Sequence, residues 1–362
     1  MKNLPIGPAD AGQRLDKFLL RYFKEAEKGF LYRMLRKKNI TLNGSKAAGS
    51  EIVKAGDNIE VFFSDETFEK FRGSGQAAPQ AGPVADSRLI KEKTSDNGEP
   101  APALAVIYED DAVLFVNKPA GLLTQKAGRE DVCLADRIAA YTAAEAAADP
   151  LAVRSLGFTP APAHRLDRNT SGLVLAGKTL PGQQLLSFLL RERNVRKYYL
   201  CVVKGNLEGP LHSALYWQKN AESNTVRILK EEVPGSERVE LKAWTEERLQ
   251  QGFSLLRVQL ISGKSHQIRA QLSHLGLPIA GDSKYGDPEV NRTLGSLLGA
   301  QPRVQLLHSY EVIFPEALPE KAALSAQAQE AFAALAGRSF RAPLPPFFGR
   351  VIRTLGGNID GK

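Results

Sequence analysis

The chain has 362 residues, 43% of them hydrophobic and 7% aromatic, with 48 Lys and Arg against 40 Asp and Glu for a formal charge of +8. That composition excludes a disordered tail, and two cysteines 68 positions apart, Cys133 and Cys201, exclude a disulfide miniprotein and a cysteine-built zinc site. The length predicts two or three domains of ordinary size. The start Met1-Lys2-Asn3-Leu4-Pro5 has no apolar leader, and no apolar run approaches the roughly 18 to 20 residues that span a bilayer, so a cytoplasmic protein with no membrane association is expected.

Residues 1–63 carry twelve Lys or Arg against seven Asp or Glu, and therefore much of the excess charge. Leu15, Phe18, Leu19 and Tyr22 fall at helical spacing, and Phe30, Leu31, Met34 and Leu35 repeat the pattern after Gly29, which predicts two amphipathic helices. Arg33, Arg36, Lys37 and Lys38 lie on or just beyond the exposed side of the second helix, where they either meet phosphates or form a solvated face. Ile40 and Leu42, the turn dipeptide Asn43-Gly44, and Ile52, Ile59, Val61 and Phe63 supply short strands. Arg14-Leu15-Asp16-Lys17-Phe18-Leu19, the basic helix and Ile40-Thr41-Leu42-Asn43-Gly44 together resemble the alpha-L RNA-binding domain of the ribosomal S-four type. The resemblance implies that Arg33, Arg36, Lys37, Lys38 and Asn43 grip structured RNA. Residues 64–103, with Gly73-Ser74-Gly75, Ala77-Ala78-Pro79 and Pro100-Ala101-Pro102, read as a flexible linker.

From residue 104 to the end the pattern is strand-rich: Val106-Ile107-Tyr108, Val113-Leu114-Phe115-Val116, Leu173-Val174-Leu175-Ala176, then 198–203, 253–261 and 310–314. Helices are expected over 136–148, 184–193 and 322–336. More strand than helix, without regular alternation, predicts an α+β fold built on a mixed or antiparallel sheet.

His164-Arg165-Leu166-Asp167-Arg168-Asn169-Thr170-Ser171-Gly172 precedes a buried strand and holds the most chemistry. Neighbouring cations keep a carboxylate ionised, and an oriented carboxylate can attack as a nucleophile or stabilise a developing cation; an Asp in a purely structural ion pair is the alternative. A second polar block, Gly263-Lys264-Ser265-His266-Gln267-Ile268-Arg269, follows the 253–261 strand and leads to Gly281-Asp282-Ser283-Lys284-Tyr285-Gly286. It is no P-loop, because the first glycine of that pattern would fall at Val258. The histidines have no zinc spacing, so no metal is expected.

These blocks, with Tyr108-Glu109-Asp110-Asp111, Asn117-Lys118-Pro119-Ala120-Gly121 and Lys197-Tyr198-Tyr199-Leu200 in the same order, resemble the RluA-type pseudouridine synthases over about residues 105–316. Joined to an alpha-L domain they resemble the branch that modifies large-subunit ribosomal RNA, which implies ribosomal RNA or an assembling subunit as partner and a monomeric enzyme. The reaction turns uridine into its C5-linked isomer with no net oxidation, so no cofactor is implied. The resemblance makes Asp167 the catalytic aspartate, Arg269 its ion-pair partner, and Tyr199 a uracil-stacking residue and a candidate for removing the C5 proton, for which its phenol would need a lowered pKa. Arg165 is implied to fill the place of the flipped base, while Lys264 stands where the family more often has Arg and keeps the charge without the planar fork. Lys118, His164 and His266 are expected to shape the scaffold. The rival readings are a non-catalytic ribosome-assembly factor, a transfer-RNA pseudouridine synthase, and a hydrolase acting on the same glycosidic bond.

Overall fold

A computed structural model of the chain describes residues 1–7, 9–72, 104–128, 130–148, 158–220, 225–300, 302, 304–320 and 322–358. Most of the expected linker, residues 73–103, lies outside the described residues. Two compact units result, one mainly of residues before Val106, the other of Val106–Ala140, Pro160–Lys178 and Gly182–Lys362.

In the first unit the elements are β1 (Lys2–Pro5), α1 (Leu15–Tyr22), α2 (Lys28–Arg36), β2 (Ile40–Leu42), β3 (Ser45–Lys46), β4 (Asn58–Val61) and α3 (Asp65–Arg72). The strands form an antiparallel sheet in the order β1-β4-β2-β3. The apolar faces read from the helical spacing are the buried ones: Leu15, Phe18, Leu19, Leu31 and Leu35 pack with Ile40, Ile59 and Val61. The turn between β2 and β3 has Asn43 at φ 51° and Gly44 at φ 72°, the left-handed pair that a two-residue hairpin needs.

The expected start of the linker at residue 64 is corrected by α3. Phe68 is buried and stacks edge-on against Phe23, and Phe71 lies 4.3 Å from Phe30 between ring centroids. Two apolar residues three apart in Asp65-Glu66-Thr67-Phe68-Glu69-Lys70-Phe71-Arg72 are a thin stripe in a charged segment, and only the aromatic cluster they join reveals the helix.

From Val106 onward the chain forms β5 (Val106–Glu109), β6 (Val113–Lys118), α4 (Leu134–Ala148), β7 (Ala161–Pro162), β8 (Ser171–Gly177), α5 (Leu180–Arg191), β9 (Arg196–Lys204), β10 (Leu211–Asn220), β11 (Thr225–Leu229), β12 (Glu237–Arg248), β13 (Phe253–Leu260), α6 (Gln267–His274), α7 (Pro288–Leu298), β14 (Leu307–Ile313), α8 (Ala326–Ala333), β15 (Ser339–Arg341) and α9 (Pro346–Thr354). These strands form a sheet in the order β11-β10-β12-β13-β9-β14-β8-β6-β5, with β15 beside β14 and β7 beside β8. The β8–β14 pair is parallel and the other described pairs are antiparallel, so the architecture is the expected α+β with a mixed sheet.

Ser171–Gly177 is buried at every position, the signature of a central strand covered on both faces. One cluster packs Phe115, Leu175, Leu185, Leu189, Phe332 and Phe340, and another packs Leu200, Phe253, Leu294, Phe348, Val351 and Ile352. The chain after residue 317, to which the sequence assigns no function, therefore contributes core through α8, β15 and α9.

Candidate active site

Asp167 sits in the loop between β7 and β8, and backbone hydrogen bonds hold that loop from one side. Leu166, buried beneath it, donates its N–H to Thr124 Oγ1 at 3.1 Å while the Thr124 hydroxyl donates to Leu166 O at 2.9 Å. Gly121 N donates to Arg168 O at 2.9 Å. Lys118, at the end of β6 and fully buried, spends its ammonium protons on the carbonyls of Pro119, Leu122 and Arg168 at 3.0, 2.8 and 3.0 Å. Burial pushes the Lys118 pKa down to about 7, and the Asp167 charge acts against that. The Asn117-Lys118-Pro119-Ala120-Gly121 block thus fastens the turn that carries Asp167.

Gly172, the second residue of β8, closes the other side. Its φ is 112°, and a Cβ there would lie 2.2 Å from Ser309 O on β14, so no other residue fits the approach. The register sets Gly172 beside Ser309, and Ser309 beside Tyr199 on β9. Tyr199 is buried and faces the same cavity as Asp167. Tyr198 points away, under the Arg257 guanidinium at 4.8 Å and against Trp244, as strand alternation dictates.

Arg269 reaches the carboxylate from α6. Its Nη1 donates to Asp167 Oδ2 at 2.9 Å, and its Nε and Nη2 donate to the two oxygens of Asp282 at 2.6 and 2.9 Å. Only a planar fork can serve two carboxylates this way. Burial works against the Arg269 charge, but the bonds and charges of Asp282 and then Asp167 outweigh it and hold the guanidinium firmly protonated. Asp282, 1% exposed, also accepts from Lys284 N and Tyr285 N, and Arg269 keeps its pKa below the ordinary value despite burial.

His266 precedes α6 with φ 56°, a left-handed backbone that a histidine seldom adopts. Its Nε2 lies 4.0 Å from Asp167 Oδ2, and its Nδ1 is 2.9 Å from Tyr285 Oη. Burial keeps its pKa low, with Arg269 and Lys284 acting the same way and Asp167 and Asp282 against.

Asp167, Tyr199, His266 and Arg269 line a cavity of about 500 Å³, whose lining also carries Arg165, Arg191, Arg193, Lys197 and Lys264. Volumes of this order accept a small ligand. Burial pushes the Lys197 pKa down to about 8, with Arg193 adding to the effect. Lys264 is paired with Glu237 and lies over the Trp217 ring, while Arg165 is exposed. Among the described residues no group of three or more His, Cys, Asp and Glu could hold a metal ion.

The structure thus brings together Asp167, Tyr199, Arg269, Arg165 and Lys264. Tyr199 is the candidate for removing the C5 proton whose phenol would need a lowered pKa; burial and the Asp167 charge instead push it up to about 12, with Ser309 acting the other way. Arg33, Arg36, Lys37, Lys38 and Asn43 belong to the first unit. The four cations are exposed and have no carboxylate partner among the described residues. Asn43 instead uses its side chain on the turn, donating to Asp57 Oδ1 at 2.9 Å and accepting from Asn58 N at 2.8 Å.

Sequence reasoning assigned no role to Asp282, Tyr285 or Thr124. The first two stand in the quoted Gly281-Asp282…Tyr285-Gly286 tail, so their signal was present; Thr124 had none.

The model of the family described as RNA pseudouridylate synthase matches residues 112–274, a span that includes Asp167, Tyr199 and Arg269. The chain is similar to ribosomal large subunit pseudouridine synthase C of Escherichia coli, 29% identical over 81% of this chain and 82% of that protein. It is also similar to an uncharacterized RNA pseudouridine synthase of Mycoplasma pneumoniae, 27% identical over 94% of each chain. Among solved structures, human RNA pseudouridylate synthase domain containing 4 has the same fold, with a TM-score of 0.53 and 18% identity over 70% of this chain and 95% of that one. The order of blocks read from the residues, the sheet that assembles them and these relatives agree, and the chain is an RNA pseudouridine synthase similar to the RluA type.

Proposed function

We propose that Asp167 is the catalytic carboxylate and that the uridines it isomerises lie in large-subunit ribosomal RNA. One observation carries the first half: Asp167 lines the cavity with Oδ2 held by Arg269, while Oδ1 has no hydrogen bond among the described residues. The reaction breaks the N1–C1′ bond, turns the uracil and forms a C5–C1′ bond, while positive character develops at C1′. A carboxylate kept ionised and aimed can attack that carbon or stabilise its charge. Tyr199, protonated, offers a ring for the uracil to stack on rather than a base.

A stacked base cannot reach such a carboxylate, so the nucleotide must flip out at a cost of about a few kcal/mol; Arg165, which lines the cavity, is read as the residue that fills the gap. The exposed Arg33, Arg36, Lys37 and Lys38 of the first unit are suited to phosphate contacts that hold the RNA during the search. Large-subunit RNA is favoured because the similar Escherichia coli protein is a ribosomal large subunit pseudouridine synthase. A monomer working in the cytoplasm fits this role.

The test is pseudouridine mapping of ribosomal RNA from cells lacking the protein, complemented with wild type or Asp167→Asn. Discrete sites lost in the deletion should return with wild type alone. Sites lost only from transfer RNA would move the target, and restoration by Asp167→Asn would end the catalytic assignment.

A further inference from the structure

The mechanism leaves Tyr285 unused, although it touches both Arg269 and His266, the groups that face Asp167. The Arg269 guanidinium lies 5.2 Å above its ring, and its hydroxyl is 2.9 Å from His266 Nδ1. The donor count around that hydroxyl decides which ring nitrogen of His266 carries the proton. Tyr285 Oη accepts from Val226 N–H on β11 at 2.9 Å. The phenol has a single proton, and among the described residues its one recorded acceptor is His266 Nδ1. Were Nδ1 protonated, two N–H groups would converge on the phenol oxygen and the O–H would have no protein acceptor.

We infer that Tyr285 fixes His266 in the neutral tautomer with its proton on Nε2, which aims an N–H donor at Asp167 Oδ2 and leaves Oδ1 as the oxygen presented to the ribose. His266 is then a positioning residue, and Tyr285 positions it in turn. At 4.0 Å the Nε2–Oδ2 separation is longer than a hydrogen bond. Such contacts commonly tighten when substrate fills a site. The left-handed backbone of His266 supports the inference independently, since strain of this kind persists where the surroundings demand one ring position. The charged groups facing the ring, Asp167, Asp282, Arg269 and Lys284, include two of each sign, and burial favours the neutral form. A neutral donor orients Oδ2 without adding a second full charge beside Arg269.

The part of the inference that concerns Oδ1 rests on Asp167 being the catalytic carboxylate, while the tautomer does not. The full chain with ¹⁵N-labelled histidine gives five imidazoles, of which His266 is assigned by its loss in His266→Gln. At neutral pH its Nδ1 should show the shift of an unprotonated ring nitrogen and its Nε2 that of a protonated one. Tyr285→Phe, which keeps the ring beneath Arg269 and removes only the hydroxyl, should mix the tautomers and lower kcat about tenfold with KM little changed. His266→Gln, which retains an N–H donor, should recover part of the kcat that His266→Ala loses. A protonated Nδ1 in the wild type overturns the tautomer, and an unchanged kcat in Tyr285→Phe overturns the positioning role. If Asp167→Asn kept its activity, the catalytic reading would fail while the tautomer measurement stood on its own.

Discussion

Arg269 is the residue on which the site's charge balance turns, because one guanidinium serves Asp167 and a fully buried Asp282 at once. A lysine keeps the charge but cannot span both carboxylates. Arg269→Lys should therefore lose about 10²- to 10³-fold in kcat, read in single-turnover assays, with RNA affinity nearly intact. A loss confined to KM would show that Arg269 only binds substrate. His164 makes a second prediction with a definite sign. Leu175 N–H donates to His164 Nε2, so protonation would set two donors against each other, and burial holds the pKa down to about 3. The unfolded chain takes that proton near its ordinary value, so between about 6.5 and 3 it binds the extra proton and stability falls with falling pH by about 1.4 kcal/mol per unit. His308, lowered to about 4 by burial, adds the same sign over a narrower window. Urea denaturation at pH 7 and pH 5 should show His164→Gln losing about 2 kcal/mol less than wild type between the two, and equal losses would mean that His164 is already charged in the fold. Asp167, Tyr199 and Arg269 could be named because the blocks that hold them, 164–172, 197–200 and 263–269, carry the family resemblance in order. Asp282 and Tyr285 could be seen there but given no work, since an ion pair between a helix and a loop thirteen residues on depends on a fold the spacing does not show.

At the scale of elements, strands with a continuous or alternating apolar pattern were legible, and those with long mixed faces were not. Ser171–Gly177 and Arg196–Lys204 contain the segments read as strands, each extended by two residues at its start and one at its end. The β10, β11 and β12 strands went unseen because half of each is polar and partly exposed, so period-2 alternation is diluted by charges such as those of Lys219, Arg227, Glu240 and Lys242. The helix Asp65–Arg72 was hidden by the opposite circumstance, two phenylalanines in a run of charge. What spacing could not convey at all was the parallel β8–β14 contact that seats the Asp167 loop. Gly172 is the element-level test of it. A Cβ 2.2 Å from Ser309 O, at φ 112°, must push β8 and β14 apart or twist the loop. Gly172→Ala should cost about 1–3 kcal/mol in denaturant unfolding and should lower kcat even where the protein is still folded. Full activity in the folded variant would show that the loop is held from the Lys118 and Thr124 side alone.

Across the whole molecule the division of labour follows from where charge is paired and where it is not. Three of the cations near the chemistry are committed: Arg269 to two carboxylates, Lys118 to three carbonyls and Lys264 to Glu237. In the first unit Arg33, Arg36, Lys37 and Lys38 are exposed at the end of α2 and beyond it, with no carboxylate partner among the described residues. Unpaired surface cations contribute little to stability, but each phosphate they neutralise releases counterions, so binding through them weakens steeply with salt. A clamp of this kind has a measurable signature distinct from that of the cleft. The slope of log affinity against log salt, measured for structured ribosomal RNA, should become shallower by about two in the double variant Arg36→Ala and Lys37→Ala, while kcat at saturating RNA stays as in wild type. Asp167→Asn should do the reverse, abolishing turnover and leaving the slope unchanged. If the double variant kept the full slope, the grip on RNA would have to lie in the cationic lining of the cleft itself, and Arg191, Arg193 and Lys197 would become the residues to neutralise next.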